Sequence, residues 1–226
     1  MLKNTLYCCL FALCSMLNSC GCNHAHTSDV ALLQEGDILF QDIDCGNLCT
    51  AIKAVTNGVA GKKFTHCALV VKLLDTLKVI EAIGDDVQIN TLYNFLKRTG
   101  ETNELKNCTV GRLKNEYSLI IKNAVSYAKE QLGKPYDNLF KINNGRLYCS
   151  ELLYEAFKSA NNNIAFFELQ PMTFKEPKTN SYFSAWVDYY KLLNSKIPEG
   201  ELGTNPGLIS FSNKLNIINQ KKIQCN

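Results

Sequence analysis

The order of elements along the chain predicts an α+β domain in which an antiparallel sheet packs against helices. Three observations carry this. Short apolar and β-branched runs occupy the first half, whereas apolar residues at helical spacing dominate the second. Connections are short, and two of the strands adjoin as a hairpin. No glycine-rich loop joins a strand to a helix with dinucleotide or phosphate-loop spacing, which argues against a parallel doubly wound sheet.

The domain begins near Ala31. Glu35-Gly36-Asp37 reads as a turn before a short strand, Ile38-Leu39-Phe40-Gln41. Residues 42–63 read as loop plus a short helix with Leu48, Ile52 and Val55 on one face. Phe64 to Val71 is the clearest strand, and Lys78 to Ala82 its hairpin partner. Val87-Gln88-Ile89 is a further strand, Leu92 to Lys97 a helix, and Cys108 to Leu113 another strand. From Ser118 to Leu132 the residues Ile121, Val125, Ala128 and Leu132 form one stripe, and Gly133 can end the helix. Leu147 to Ala160 is a second amphipathic helix with Leu152, Leu153, Ala156 and Phe157 on its apolar face. Residues 161–207 are loop-rich, with an aromatic segment at Tyr182 to Leu193 and a turn at Asn205-Pro206-Gly207. The aromatics Tyr182, Phe183, Trp186, Tyr189 and Tyr190 read as core at helical spacing, with a cleft wall as the alternative. The tail from Lys214 is polar and reads as peripheral.

The chain has 226 residues, enough for one good-sized domain behind a leader. A hydrophobic share of 46% and a charged share of 20% exclude disordered and collagen-like classes. The net charge of +3 is interspersed, and no basic cluster lies beside aromatics, so nucleic acid is not an expected partner. Lys3 followed by the uncharged run Leu6 to Leu17 fits a signal-peptide h-region, too short for a spanning helix. The run ends in Leu17-Asn18-Ser19-Cys20, which resembles the lipobox of bacterial lipoproteins. A plain secretory signal is the alternative. The expected organisation is a leader at 1–20 with Cys20 as the lipidation site, a polar tether at 21–30, and a domain at 31–226. It places the mature protein in the cell envelope, with an anchor rather than a transmembrane helix holding it at a membrane.

Five of the 11 cysteines precede the domain: Cys8, Cys9, Cys14, Cys20 and Cys22. The domain keeps Cys45, Cys49, Cys67, Cys108, Cys149 and Cys225. Cys45 and Cys49 are close enough for a local disulfide, and equally compatible with two small buried apolar side chains. A second closely spaced cysteine pair and a nearby histidine are both lacking from the domain, so no zinc site is expected, and no cofactor. Histidine is the sharper filter. Of three, His24 and His26 lie in the tether, which leaves His66 for the domain. A Cys–His pair needs only one imidazole. Cys149 is the thiol at an expected helix N-terminus, where backbone N–H groups and the helix dipole favour a thiolate. Cys67 neighbours His66 on a strand, points to the opposite face and reads as core. Glu81, on the paired strand, can lie beside His66 and orient it; a solvent-facing strand residue is the bland reading.

Gly36-Asp37-Ile38-Leu39-Phe40-Gln41, Thr65-His66-Cys67-Ala68-Leu69-Val70, Val79-Ile80-Glu81-Ala82, Gly133-Lys134-Pro135-Tyr136-Asp137 and Tyr148-Cys149-Ser150-Glu151-Leu152, in that order, resemble the YiiX/YaeF-type permuted papain-like amidases of the wider NlpC-type cysteine peptidase superfamily. The resemblance spans residues 33–160. It implies a circularly permuted papain-like fold in which the histidine strand precedes the cysteine helix. It assigns Cys149 as nucleophile, His66 as base and Glu81 as orienting acid, with Tyr148 shaping the site. Ser150 beside the nucleophile and Gln41 are further candidates for the substrate or oxyanion region, alongside the first N–H groups of the Cys149 helix. Members of the family often carry glycine after the base histidine. Here Cys67-Ala68 stands in that place, and the expectation is a narrower cleft floor.

Three functions follow from this reading. The first is an amidase or peptidase acting by acyl transfer, with cell-wall peptides as an envelope substrate. The second is an acyl hydrolase or acyltransferase on lipids, as in related permuted folds. The third is a non-catalytic ligand-binding module of the same fold. The expected partner is an amide- or ester-containing small molecule, peptide or lipid.

Overall fold

In the computed structural model, residues 32–100, 105 and 107–218 are described. The leader, Cys20, the tether and Cys225 lie outside them. Six strands form one sheet: β1 (Ile38–Gln41), β2 (His66–Leu73), β3 (Thr76–Ile83), β4 (Asp86–Thr91), β5 (Cys108–Leu113) and β8 (Leu215–Ile218), in spatial order β4-β3-β2-β1-β5-β8. Every pairing is antiparallel. The helices are α1 (Asn47–Val55), α2 (Leu92–Lys97), α3 (Ile121–Glu130), α4 (Cys149–Ala160), α5 (Ser184–Leu192) and α6 (Pro206–Ser210), and a small ribbon pairs β6 (Gln170–Pro171), before α5, with β7 (Leu202–Gly203), after it.

Period-two alternation assigns the two faces of the sheet. Ile38 and Phe40 of β1, Cys67, Leu69 and Val71 of β2, and Ile80 and Ala82 of β3 pack with the apolar faces of α3 and α4. Leu39, Ala68, Val70 and Val79 point the other way, onto Phe95 and Leu96 of α2 and onto Leu33 and Leu105. The β2–β3 hairpin turns on Leu74 and Asp75, both at positive φ (44° and 62°), the backbone of a two-residue turn that follows strand twist. Gly111 has a packing reason: a Cβ there would meet Phe40 at 2.9 Å and Leu215 at 3.1 Å.

Helix α4 is the centre of the larger core. Leu152, Leu153, Ala156 and Phe157 are fully buried, as their spacing predicts. Phe157 stacks on Phe166 and meets Phe167 edge-on, with ring centroids 5.6 and 5.2 Å apart. A third cluster lies to one side, where Ala51 of α1 meets Phe174, Trp186 and Tyr190.

Four expectations need correction. The described part of the tail, residues 214–218, is not peripheral: L-N-I-I alternates, Leu215 is buried, and the segment completes the sheet beside β5. Asn205-Pro206-Gly207 opens a short helix, because the Asn205 side chain accepts the Leu208 N–H at 2.8 Å and proline suits a first helical position. The helix expected from Ser118 is a 3-10 segment, Asn115–Ile120, before α3 begins. Leu132, placed on the apolar stripe, lies beyond the helix end and is 45% exposed.

Replacing Phe157 by alanine removes both ring contacts from a site that cannot collapse. The expected loss is about 3–5 kcal/mol of unfolding free energy, read from urea denaturation with unchanged m-value.

Candidate active site

Two strands and one helix end converge on the site. His66 opens β2 and Glu81 lies on β3, on the same face of the sheet. Leu69 pairs with Ile80, so Glu81 falls opposite Ala68 and diagonal to His66. His66 Nε2 meets Glu81 Oε2 at 2.6 Å. The other imidazole nitrogen, Nδ1, is thereby left for Cys149, to which His66 is also hydrogen-bonded. Cys149 is the first residue of α4. Its N-cap, Tyr148, is extended and forms no side-chain cap, so the first-turn N–H groups are not consumed by a capping side chain.

Glu81 is fully buried, and a buried carboxylate needs compensation. Arg98, just after α2, supplies it as a two-pronged ion pair, with both guanidinium nitrogens at 2.7 Å from the carboxylate oxygens. Asn90 of β4 adds a donor at 2.9 Å. Burial pushes the Glu81 carboxyl up, but the hydrogen bonds from His66 and Arg98 and their charges outweigh it and bring it to about 2. Burial likewise opposes charge on His66. Its hydrogen bonds to Cys149 and Glu81, with their negative charge, outweigh that and raise the imidazole to about 9. The Cys149 thiol is held well below the ordinary thiol range. A hydrogen bond from Cys67 is the largest cause; burial opposes it, and the bond and charge of His66 reinforce it. Both shifts favour a thiolate beside an imidazolium at neutral pH.

Cys67 does lie on the opposite face from His66 and is core, as alternation requires. That face, however, is the one onto which α4 brings Cys149. Cys67 therefore sits under the nucleophile candidate as a hydrogen-bond donor, and it does not narrow the floor of the cavity, which it does not line. Gln41 does not reach the cavity either. It stands opposite His66 on β1, and its Nε2 donates to the Phe95 carbonyl at 3.0 Å. Tyr148 and Ser150 grip one residue from both sides of Cys149. The Thr204 N–H donates to Tyr148 Oη at 3.2 Å, and Ser150 Oγ donates to the Thr204 carbonyl at 3.2 Å. They position the wall at 203–206 against the start of α4.

Glu151 is a site feature the sequence reading passed over. It is the third residue of α4 and reaches back to the Tyr148 N–H, the reciprocal half of a capping box. It also accepts the Asn143 N–H at 3.2 Å. Burial, with Asp137 nearby, raises its carboxyl to about 8. Asp137 in turn holds the same loop through the N–H groups of Leu139 and Lys141. Arg98 and Asn90 were also missed. The one signal for them is the rule that a buried carboxylate must find a cation; no local spacing links position 98 to position 81.

A cavity of about 520 Å³ opens onto Cys149 and His66. Leu48, Ile52 and Val55 of α1 form one wall; Phe140, Phe174 and Trp186 form another. The aromatic segment thus serves both readings: Trp186 and Tyr190 are buried core, and Trp186 and Tyr189 also face the cavity. No Asp, Glu, Lys or Arg is among the described residues that line it. Cys45 and Cys49 form a disulfide at the start of α1, which settles their pairing and ties down that wall.

The family model for the permuted papain-like amidase enzymes, YaeF/YiiX, matches residues 32–219. The uncharacterized protein YiiX of Escherichia coli is 30% identical over 128 residues, 56% of this chain, and the match spans 58% of that relative's length. The crystal structure of YiiX from Escherichia coli superposes with a TM-score of 0.66 at 23% identity, covering 82% of this chain and 96% of that one, which shows the fold. That structure is described as a metalloprotein. Among the described residues here, no group of three or more His, Cys, Asp and Glu side chains is placed to hold an ion.

The raised Glu151 carboxyl has a measurable consequence. Its stabilising contribution is complete below its unfolded value of about 4.5 and is lost as pH rises through about 8. Glu151→Gln stays neutral throughout. Between pH 6 and pH 9, wild-type Tm is expected to fall further than that of E151Q; parallel curves would show that the carboxyl does not titrate in the fold.

Proposed function

The chain belongs to the permuted papain-like amidase family typified by YaeF and YiiX, and from that membership we propose an exported thiol hydrolase that works by acyl transfer through Cys149, His66 and Glu81. The observation that carries the proposal is the continuous hydrogen-bonded series from Cys149 to His66 to Glu81, with the thiol at the first position of α4. The Cys149 thiolate attacks an amide or ester carbonyl. The first N–H groups of α4 receive the oxyanion, a contribution of order 10²–10³ in rate for one such donor. The His66 imidazolium gives its proton to the leaving group, then takes one from the water that hydrolyses the thioester. Glu81, held by Arg98 and Asn90, fixes the ring and balances its charge. Tyr148 and Ser150 act as positioning residues through Thr204.

Export and anchoring at a membrane through Cys20 are part of the proposal. The uncharged run Leu6 to Leu17 and the lipobox-like Leu17 to Cys20 support them, and so does the Cys45–Cys49 disulfide, a bond that persists in oxidising compartments. Among the described residues no helix is long and apolar enough to cross a membrane.

Cell-wall peptides are one substrate for such an enzyme. The cavity favours a second reading, an acyl hydrolase or acyltransferase on a lipid amide or ester. Carboxylates and amines of a peptide would meet no Asp, Glu, Lys or Arg on its lining, where the charged groups are the Cys149–His66 pair itself, whereas an apolar acyl group buries well against Leu48, Ile52, Phe140 and Phe174. Trp186 Nε1 and Thr204 Oγ1 are buried without a partner among the described residues, and belong to walls that an amide or ester would meet.

Purified protein assayed on neutral N-acyl amides, acyl esters and muropeptides, beside Cys149→Ala, tests both levels. Turnover of the acyl series is expected, lost in C149A, with kcat/KM level across neutral pH and declining as pH passes about 9, where His66 loses its proton. Turnover that survives C149A would remove Cys149 as nucleophile. Turnover confined to charged muropeptides would keep the nucleophile and overturn the acyl reading.

A further inference from the structure

The described fold holds two unpaired thiols at one point. Cys67 comes from β2, on the face that receives α4, and Cys149 is the first residue of α4; both are buried in the same core cluster. The Cys67 side chain and backbone N–H lie near enough to the Cys149 sulfur to favour its thiolate. Nothing in the acyl-transfer chemistry requires a second thiol here. A serine or a backbone amide would serve equally as a donor.

We propose that Cys67 is a resolving thiol, which captures Cys149 as a reversible disulfide after a hydroperoxide has oxidised it. The inference depends on Cys149 being a thiolate and is independent of which substrate the cavity accepts. In the first step the Cys149 thiolate attacks the peroxide O–O bond. A sulfur–oxygen bond forms, the O–O bond breaks and hydroxide or alkoxide leaves, so that sulfur is oxidised to the sulfenic acid as the peroxide is reduced. In the second step the Cys67 sulfur attacks Cys149. The S–S bond forms, the S–O bond breaks, and the oxygen departs as water with the Cys67 proton. Burial and the neighbouring Cys149 charge keep the Cys67 thiol protonated, which confines the first attack to Cys149. Without a resolving thiol the sulfenic acid is open to further, irreversible oxidation.

The two thiols fall on separate tryptic peptides, Phe64–Lys72 and Leu147–Lys158, each with a single cysteine. The experiment treats the full chain with hydrogen peroxide near equimolar, then follows the cross-linked peptide by mass spectrometry and Cys149 labelling by iodoacetamide before and after dithiothreitol. For wild type the expected result is the cross-linked pair, loss of labelling, and return of most labelling on reduction. For Cys67→Ser, which keeps a donor beneath Cys149, the expected result is sulfinic and sulfonic acid on Cys149 with no recovery. Two results would overturn the proposal: a wild-type Cys149 oxidised without the cross-link, or recovery in C67S equal to that of wild type. The peptide measurement in wild type decides the matter even if C67S fails to fold.

Discussion

The buried charge of Glu81 is the constraint on which the site depends. A carboxylate with no exposure stays ionised only if donors surround it, and here the imidazole, the Arg98 fork and the Asn90 amide do so. Arg98 helps to keep the carboxylate ionised. Burial of the imidazole opposes its charge, and the bonds and charges of Cys149 and Glu81 outweigh that, so the ring is raised to about 9. The depressed Cys149 thiol then follows from its neighbours, with Cys67 and His66 both donating to it.

The fold serves this arrangement by bringing unlike elements to one place. The hairpin fixes His66 against Glu81 through strand register, a rigid connection made within 16 residues of sequence from His66 to Glu81. Helix α4 delivers the thiol from the other face, and its long apolar contact with the sheet sets the helix end. The loops that wall the cavity are tied to that same helix end. Glu151 holds Tyr148 and the 137–145 loop, and Tyr148 and Ser150 hold Thr204. A change in the first turn of α4 therefore moves the cavity wall as well as the nucleophile.

Much of this was legible in the sequence because it is local. The β2–β3 hairpin, the helix over 92–97, the strand over 108–113 and the amphipathic helix carrying Leu152 and Phe157 all follow from short-range periodicity. The His66–Glu81 contact follows from the hairpin. What depends on distant contacts was not legible. Arg98 reaches Glu81 across a strand and a helix, and β8 is a strand because β5 offers it an edge and Gly111 leaves room for Leu215. Alternation along β2 puts Cys67 on the face that packs against α4, but it carries no information that the nucleophile approaches from that face. The cavity is a product of α1, α5, the start of α4 and several loops, and no one segment encodes it.

The protonation state of His66 tests the central claim most directly. Its ring shifts can be followed by NMR through a pH titration of the full chain, beside a short histidine peptide that titrates at the unperturbed value of about 6.5. His66 is expected to stay an imidazolium through neutral pH, to titrate near about 9, and to drop markedly in Cys149→Ala, where the thiolate is gone. A His66 that titrates with the reference peptide in wild type, and does not move in C149A, would contradict the thiolate–imidazolium pair.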